Sequence, residues 1–200
     1  YDPVSGDREA IARDLAAQRG YTLIPPYNDE RVIAGAGTAA LELMQQAQGL
    51  AAMLAPCGGG GLLSGTALAV KGAASGCKVI GVEPLVANDA ALSFRTGELH
   101  TIHNPPTIAD GTRTPSLGSI TFSLVRQYVD AFAEVTEESI EEAVRFAFFY
   151  LKLVVEPSGA LGLAALLSGA YRPEGPAGVI LSGGNIDAPT MVRVLQGGER

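Results

Sequence analysis

The residues best suited to chemistry begin with Gly58-Gly59-Gly60-Gly61, which follow Pro56-Cys57 and precede Leu62. Four glycines in a row let backbone N–H groups converge on one point, because no Cβ blocks close approach and positive φ carries no steric penalty. An apolar run from Leu50 to Ala55 leads into them, and a helix-like stretch from Leu62 to Ala74 follows. A strand, a glycine turn and a helix N-terminus in that order bring orphan amides and the positive end of a helix dipole to one place. Such a loop suits a phosphate monoester. A tight strand–helix turn with no ligand is the other reading of the same glycines.

Further candidates lie at strand ends. Lys78 to Pro84 reads as a buried strand ending in the carboxylate of Glu83, at the edge where open α/β sheets bind ligands. Glu83 and Asp89, with the carbonyl of Ala87 between them, offer the oxygen donors that Mg2+, Mn2+ or Ca2+ take. Without further context they read as two solvated carboxylates. Gly178 to Leu181 reads as a buried strand running into a second glycine turn, Ser182-Gly183-Gly184-Asn185. Residues 97–119 form a long polar connection rich in Pro and Gly, and long connections inside compact domains often carry function. His100 and His103 read as loop histidines. Cys57 and Cys77 lack metal-ligand spacing and read as reduced thiols of a cytoplasmic protein.

The elements that hold these residues follow from periodicity and punctuation. Residues 7–19 form an amphipathic helix stopped by Gly20, and Tyr21 to Ile24 a short strand ended by Pro25-Pro26. Ile33-Ala34-Gly35-Ala36-Gly37-Thr38 opens a helix to about Gln48, capped by Gly37 or Thr38, with Glu42 in its first turns. Its glycine pair permits close packing against a neighbour. Helices are expected at Ala90 to Arg95, Thr121 to Tyr128, Thr136 (as N-cap) to about Leu153, and Glu156 to about Leu167; Ala131 to Val135 is a strand. With 200 residues, 47% hydrophobic, 25 glycines and 6% aromatics, the composition suits an α/β protein with many tight turns. A net charge of −7 argues against nucleic acid as the main partner. No secretory signal or bilayer-length apolar run is present. Tyr1 reads as the last residue of a strand whose start lies upstream, so a fragment of a longer protein is expected.

Five segments, in order, resemble the fold-type II pyridoxal-phosphate enzymes, specifically the serine/threonine dehydratase and serine racemase branch. These are Ile33 to Thr38 followed by Glu42, Gly58 to Leu62, Thr107-Ile108-Ala109-Asp110-Gly111, Glu156-Pro157-Ser158-Gly159-Ala160, and Ser182 to Asn185. Ala36 departs from the family pattern, which has Gln there. The resemblance implies an open, mostly parallel twisted sheet with helices on both faces, the tryptophan synthase β-like fold. It implies that residues 1–25 are the remainder of a small domain and 26–200 the C-terminal part of the large, cofactor-binding domain.

By the same resemblance, Gly58, Gly59, Gly60, Gly61 and Leu62 hold the 5′-phosphate of pyridoxal phosphate, and Ser182 hydrogen-bonds the pyridine nitrogen. A neutral hydroxyl there makes the ring a weaker electron sink than a carboxylate would. Read locally, Ser182 is only a turn hydroxyl satisfying backbone. Glu156 is expected near the ring, Arg8 near the substrate entrance, and Thr114 with its hydroxyl toward the substrate. Locally, Arg8 reads as a first-turn residue pairing Glu9 or Asp14, and Glu156 as a helix N-terminal carboxylate. Glu83, Ala87 and Asp89 take the place of the family's structural metal site. The lysine that carries the cofactor, the loop that binds the substrate carboxylate and the opposite-face serine of racemases have no counterpart among these 200 residues; Lys71, Lys78 and Lys152 lack the required setting. No catalytic residue is therefore assigned, and the fragment alone is expected to be inactive. The parent protein is expected to be a homodimeric ammonia-lyase that converts L-threonine- or L-serine-type β-hydroxy amino acids to 2-oxo acids and ammonia. Serine racemase and 3-hydroxyaspartate dehydratase are alternatives within the family. A non-catalytic phosphate-binding module and a structural oligomerisation piece are alternatives outside it.

Overall fold

The computed structural model describes residues 8–73 and 76–197. Strand β1 (Ala52–Pro56) is buried at every position. It pairs in parallel with β2 (Lys78–Pro84) on one side and β4 (Ala177–Val179) on the other, and β2 pairs in parallel with β3 (Ala131–Val135), giving the order β3-β2-β1-β4. An all-parallel sheet needs both faces covered, and both are. Leu54, Ile80 and Val82 point into one core with Ile140, Leu161 and Ala164. Met53, Ala55 and Val79 point into the other with Leu63, Ala67 and Val125. Alternation along each strand thus feeds two cores from one sheet, and the three strand ends followed by candidate residues, those of β1, β2 and β4, lie along one edge.

The first core is closed by α6 (Glu137–Phe146), α7 (Leu161–Leu167) and α8 (Ala188–Leu195). The second is closed by α2 (Glu30–Gln46), α3 (Gly61–Gly72), α4 (Asp89–Thr96) and α5 (Ser119–Tyr128). Helices α2 and α3 cross at glycines: a Cβ on Gly37 would lie 2.6 Å from the carbonyl oxygen of Gly65. Close packing is what Gly37 provides, whereas Gly35 has open space beside it.

Several boundaries differ from the sequence expectation. Helix α2 starts earlier, because the carboxylate of Asp29 accepts from the amides of Arg31 and Val32 and is a stronger cap than Gly37 or Thr38. Thr38 therefore lies inside the helix, its hydroxyl on the Gly35 carbonyl, and Glu42 lies exposed beyond the first turn. Residues 21–24 form no strand and pair with no described strand, and Tyr21, Leu23 and Ile24 are exposed. The helix opened by Thr136 gives way to a π-helix over Ala147–Leu151 and ends at Lys152, whose φ is 60°. The segment after Pro157 first makes a 3-10 turn, Ser158–Ala160, before α7. Helix α8, capped by Asp187, is an addition. Helix α1 (Arg8–Arg19) matches the expected helix where it is described. Tyr1, Asp7 and Ala74 lie outside the described residues.

Candidate functional site

The glycine loop joins β1 to the N-terminus of α3 at the sheet's C-terminal edge. Its carbonyls have protein partners: Thr121 donates its hydroxyl to the Gly59 carbonyl at 2.7 Å, and the Ser64 amide donates to the Gly60 carbonyl at 2.8 Å. Its amides do not. Among the described residues, the N–H groups of Gly58 to Leu62 have no hydrogen-bond acceptor, although Gly59, Gly60 and Gly61 are buried. Buried unpaired amides are rare and call for an acceptor. A cluster of them at a helix N-terminus fits a dianionic phosphate.

The glycines are also fixed by what lies behind them. Gly60 has φ +88°, and a Cβ there would meet Leu117 and Thr121. A Cβ on Gly59 would lie 2.5 Å from Cδ2 of Tyr27, and one on Gly61 would lie 2.9 Å from Cα of Tyr27. The ring of Tyr27 thus stands against the loop. Its neighbour Asn28 accepts from the amide of Ile120 at 2.9 Å, tying this corner to α5. Sequence reasoning missed Tyr27, since no spacing rule marks an aromatic residue in a loop. Burial raises its phenol pKa, with the charge of Glu9 adding to the rise and that of Arg8 opposing it. Arg8, exposed at the start of α1, therefore lies on this side of the loop. On the other side, Thr114 has a buried hydroxyl without a partner, 3.2 Å from where a Cβ on Gly58 would be.

The second glycine turn follows β4, beside β1, so the register brings Ser182 to the same edge as the glycine loop. Ser182 itself is exposed. Glu156 holds this turn: its amide donates to the Gly183 carbonyl at 3.0 Å, and its carboxylate accepts from the Asn185 amide at 2.8 Å. Two residues on, the hydroxyl of Ser158 accepts from the Gly111 amide at 2.8 Å. One short segment thus grips both the Ser182 turn and the Asp110-Gly111 turn. Asp110 shapes that turn, accepting from the Gly111 amide at 2.9 Å.

Glu83 and Asp89 are 1% and 2% exposed. The Glu83 carboxylate accepts from the amides of Ala91 (2.7 Å) and Ala90 (3.3 Å) at the start of α4. Burial pushes its pKa well above the usual carboxylate range, and the charge of Asp89 adds to the rise. Burial likewise raises Asp89 to about 7. One oxygen of Asp89, Oδ2, is buried with no partner. Ala87 is buried beside them. Among the described residues no three His, Cys, Asp or Glu side chains cluster as metal ligands. The oxygen set here is two carboxylates and the Ala87 carbonyl, and the orphan Oδ2 fits a hard cation completed by water. Burial also raises the pKa of the Cys57 thiol, and the charges of Glu83 and Asp89 reach it. The carboxylates and the glycine loop are therefore electrostatic neighbours.

Residues 1–183 match the family model described as pyridoxal-phosphate dependent enzyme. The chain is 44% identical over 200 residues to the L-threo-3-hydroxyaspartate ammonia-lyase of Saccharomyces cerevisiae, covering all of this chain and 61% of that protein. It is 43% identical to the serine racemase of Schizosaccharomyces pombe, covering 94% of this chain and 58% of that one. Among solved structures, the threonine deaminase of T.th. superposes with a TM-score of 0.87 at 46% identity, over 94% of this chain and 63% of the other. The chain thus spans about three fifths of the length of these relatives. The open parallel sheet, the motifs in their order and these matches agree: the chain belongs to the pyridoxal-phosphate dependent enzyme family.

Proposed function

We propose that the whole protein is a pyridoxal-phosphate dependent ammonia-lyase acting on β-hydroxy amino acids such as L-threonine and L-serine. The observation that carries this is the set of unpaired amides from Gly58 to Leu62, with Gly59, Gly60 and Gly61 buried, at the edge of a parallel sheet beside the Ser182 turn. When bound, pyridoxal phosphate supplies an electron sink for bond breaking at the substrate Cα. Gly58, Gly59, Gly60, Gly61 and Leu62 hold its phosphate by backbone N–H groups. Ser182 offers a neutral hydroxyl to the ring nitrogen. Glu156, rather than touching the ring, fixes the turn that presents Ser182; its hydrogen bonds to Gly183 and Asn185 support this role. Thr114 and Arg8 face the substrate, as hydroxyl donor and cation. The partnerless hydroxyl of Thr114 beside Gly58 favours that assignment. Glu83, Asp89 and the Ala87 carbonyl hold a divalent cation, and the orphan Asp89 oxygen supports it.

In this reading residues 26–200 belong to the large domain and residues 1–25 to the smaller one. The absence of buried residues on the described part of α1 supports that division. The protein acts as a homodimer in the cytoplasm, a setting that the buried thiol of Cys57 favours. No described helix is long and apolar enough to cross a membrane. A second reading, L-threo-3-hydroxyaspartate as substrate, is favoured by the 44% identical relative that carries this activity in its name. The test is to express the full-length protein, measure cofactor binding by absorbance, and assay ammonia and 2-oxo acid release from L-threonine, L-serine and L-threo-3-hydroxyaspartate. Release from any of the three supports the lyase reading and selects the substrate. Racemisation without release overturns it, as does failure to bind the cofactor.

A further inference from the structure

Glu134 on β3 stands directly across from Glu83 on β2 in the strand register. Two like charges in register repel, and both are put to use on the same helix. Glu83 accepts from the first amides of α4. Glu134 takes hold of α4 by side chains at its two ends. One carboxylate oxygen accepts from the side-chain amide of Asn88, the N-cap residue, and also from Arg95 Nη2 at 3.3 Å. The other accepts from Arg95 Nη1, in the last turn, at 2.7 Å. Asn88 makes no capping hydrogen bond to its own helix; its side chain is spent on the strand instead. Asn88 lies between Ala87 and Asp89, so fixing it fixes the backbone of both. A third grip comes from Ser93, whose buried hydroxyl donates to the Asp89 carbonyl at 2.6 Å.

The charges close on the same conclusion. Arg95 is paired with Glu134, and no salt bridge reaches Glu83 or Asp89 among the described residues, which leaves two carboxylates for a divalent ion to balance. We propose that Asn88 and Glu134 are positioning residues for the cation loop: their cross-strand hydrogen bond holds Ala87 and Asp89 in the arrangement that binds the ion. This rests on the reading of Glu83, Ala87 and Asp89 as a cation site. Neither residue touches the ion; each acts through the backbone between Ala87 and Asp89.

The test uses the full-length protein stripped of metal and titrated with Mn2+, followed by electron paramagnetic resonance. Partners of this kind change metal affinity about 10- to 100-fold when removed. Asn88→Ala, which alters no charge, is expected to weaken Mn2+ binding by about that factor, and Glu134→Ala by at least as much. Because both remove one hydrogen bond, the double variant should bind no more weakly than Glu134→Ala, a non-additivity that a double-mutant cycle detects. Wild-type affinity in Asn88→Ala overturns the proposal, as do two effects that simply multiply. A wild-type protein that binds no Mn2+ overturns the cation reading itself, a result distinct from either. Should Glu134→Ala not fold, Glu134→Leu, which keeps the bulk and has no acceptor for Asn88, completes the same cycle.

Discussion

Removing the charge of Asp89 should change how stability depends on pH, and the size follows from its burial. Asp89 has its carboxyl raised from 3.8 to about 7 by burial. A group whose folded-state pKa is raised binds its proton more tightly in the folded state. For a carboxyl this favours the folded state at low pH, and the advantage is lost as pH climbs toward 7. Between pH 5 and 7, one such group lowers the free energy of unfolding by about 2 kcal/mol. Glu83 moves in the same direction, its proton held first by burial and then by the charge of Asp89. The carboxyls held below their usual range, Asp29, Glu134 and Asp187, stay ionised above pH 5 in both states and do not contribute there. Urea unfolding in EDTA at pH 5, 6 and 7 should therefore show stability falling by about 2 kcal/mol or more. Asp89→Asn should at least halve that fall, since it removes one titrating group and the neighbouring charge that raises Glu83. Adding Mg2+ or Ca2+ should restore the wild-type protein near pH 7 and leave the variant unchanged. Stability in EDTA that is flat or rises from pH 5 to 7 would refute the reasoning.

Other substitutions test single contacts. Gly65→Ala places a methyl group 2.6 Å from the Gly37 amide nitrogen, against backbone that cannot yield; it should lower stability by about 3 kcal/mol or prevent folding, read by thermal denaturation. Thr136→Ala removes the hydroxyl that accepts from the Ser139 amide at 3.3 Å, and should cost about 1 kcal/mol in urea unfolding, leaving cofactor affinity unchanged. Glu156→Ala frees the Asn185 amide. Its expected signature in the full-length protein is faster cofactor release, with an unfolding midpoint in the absence of cofactor close to that of the wild type.

The candidate site was legible where backbone conformation dictates residue type. The glycines of 58–61, the Ser182 turn and the Glu156 segment are constrained by close approach, and the sequence records that constraint directly. Strands β1 and β2 were legible because buried parallel strands read as largely apolar runs, and β3, which carries Glu134, by its alternation toward Ala133 and Val135. What escaped was set by tertiary contacts. Tyr27 matters through the ring it places against Gly59 and Gly61, a contact between loops that no local pattern encodes. Asn88 and Glu134 are 46 residues apart, and only the β2–β3 register unites them. The α2 boundary was misjudged because the Gly37-Thr38 pair looks like a cap, whereas Asp29 captures the helix start two turns earlier. Residues 21–24 have the residue types of a strand, ended by Pro25-Pro26, but find no described partner, and residue type alone does not make a ladder.

The place of β1 between β2 and β4 has a consequence for how the protein is made. Leu54 pairs with Val179, about 125 positions later in the chain. At a synthesis rate of roughly 5–20 residues per second, β1 waits about 6–25 s for that partner to be translated. Until then one edge of a fully apolar strand is open, with only β2 beside it. The Ser182 turn follows β4 directly, so that wall of the candidate site is translated after β4. An acceptor can therefore meet the amides of Gly58 to Leu62 on a nascent chain before the Ser182 turn has been translated. Ribosome-associated chaperones that shield apolar strands have their window during that interval.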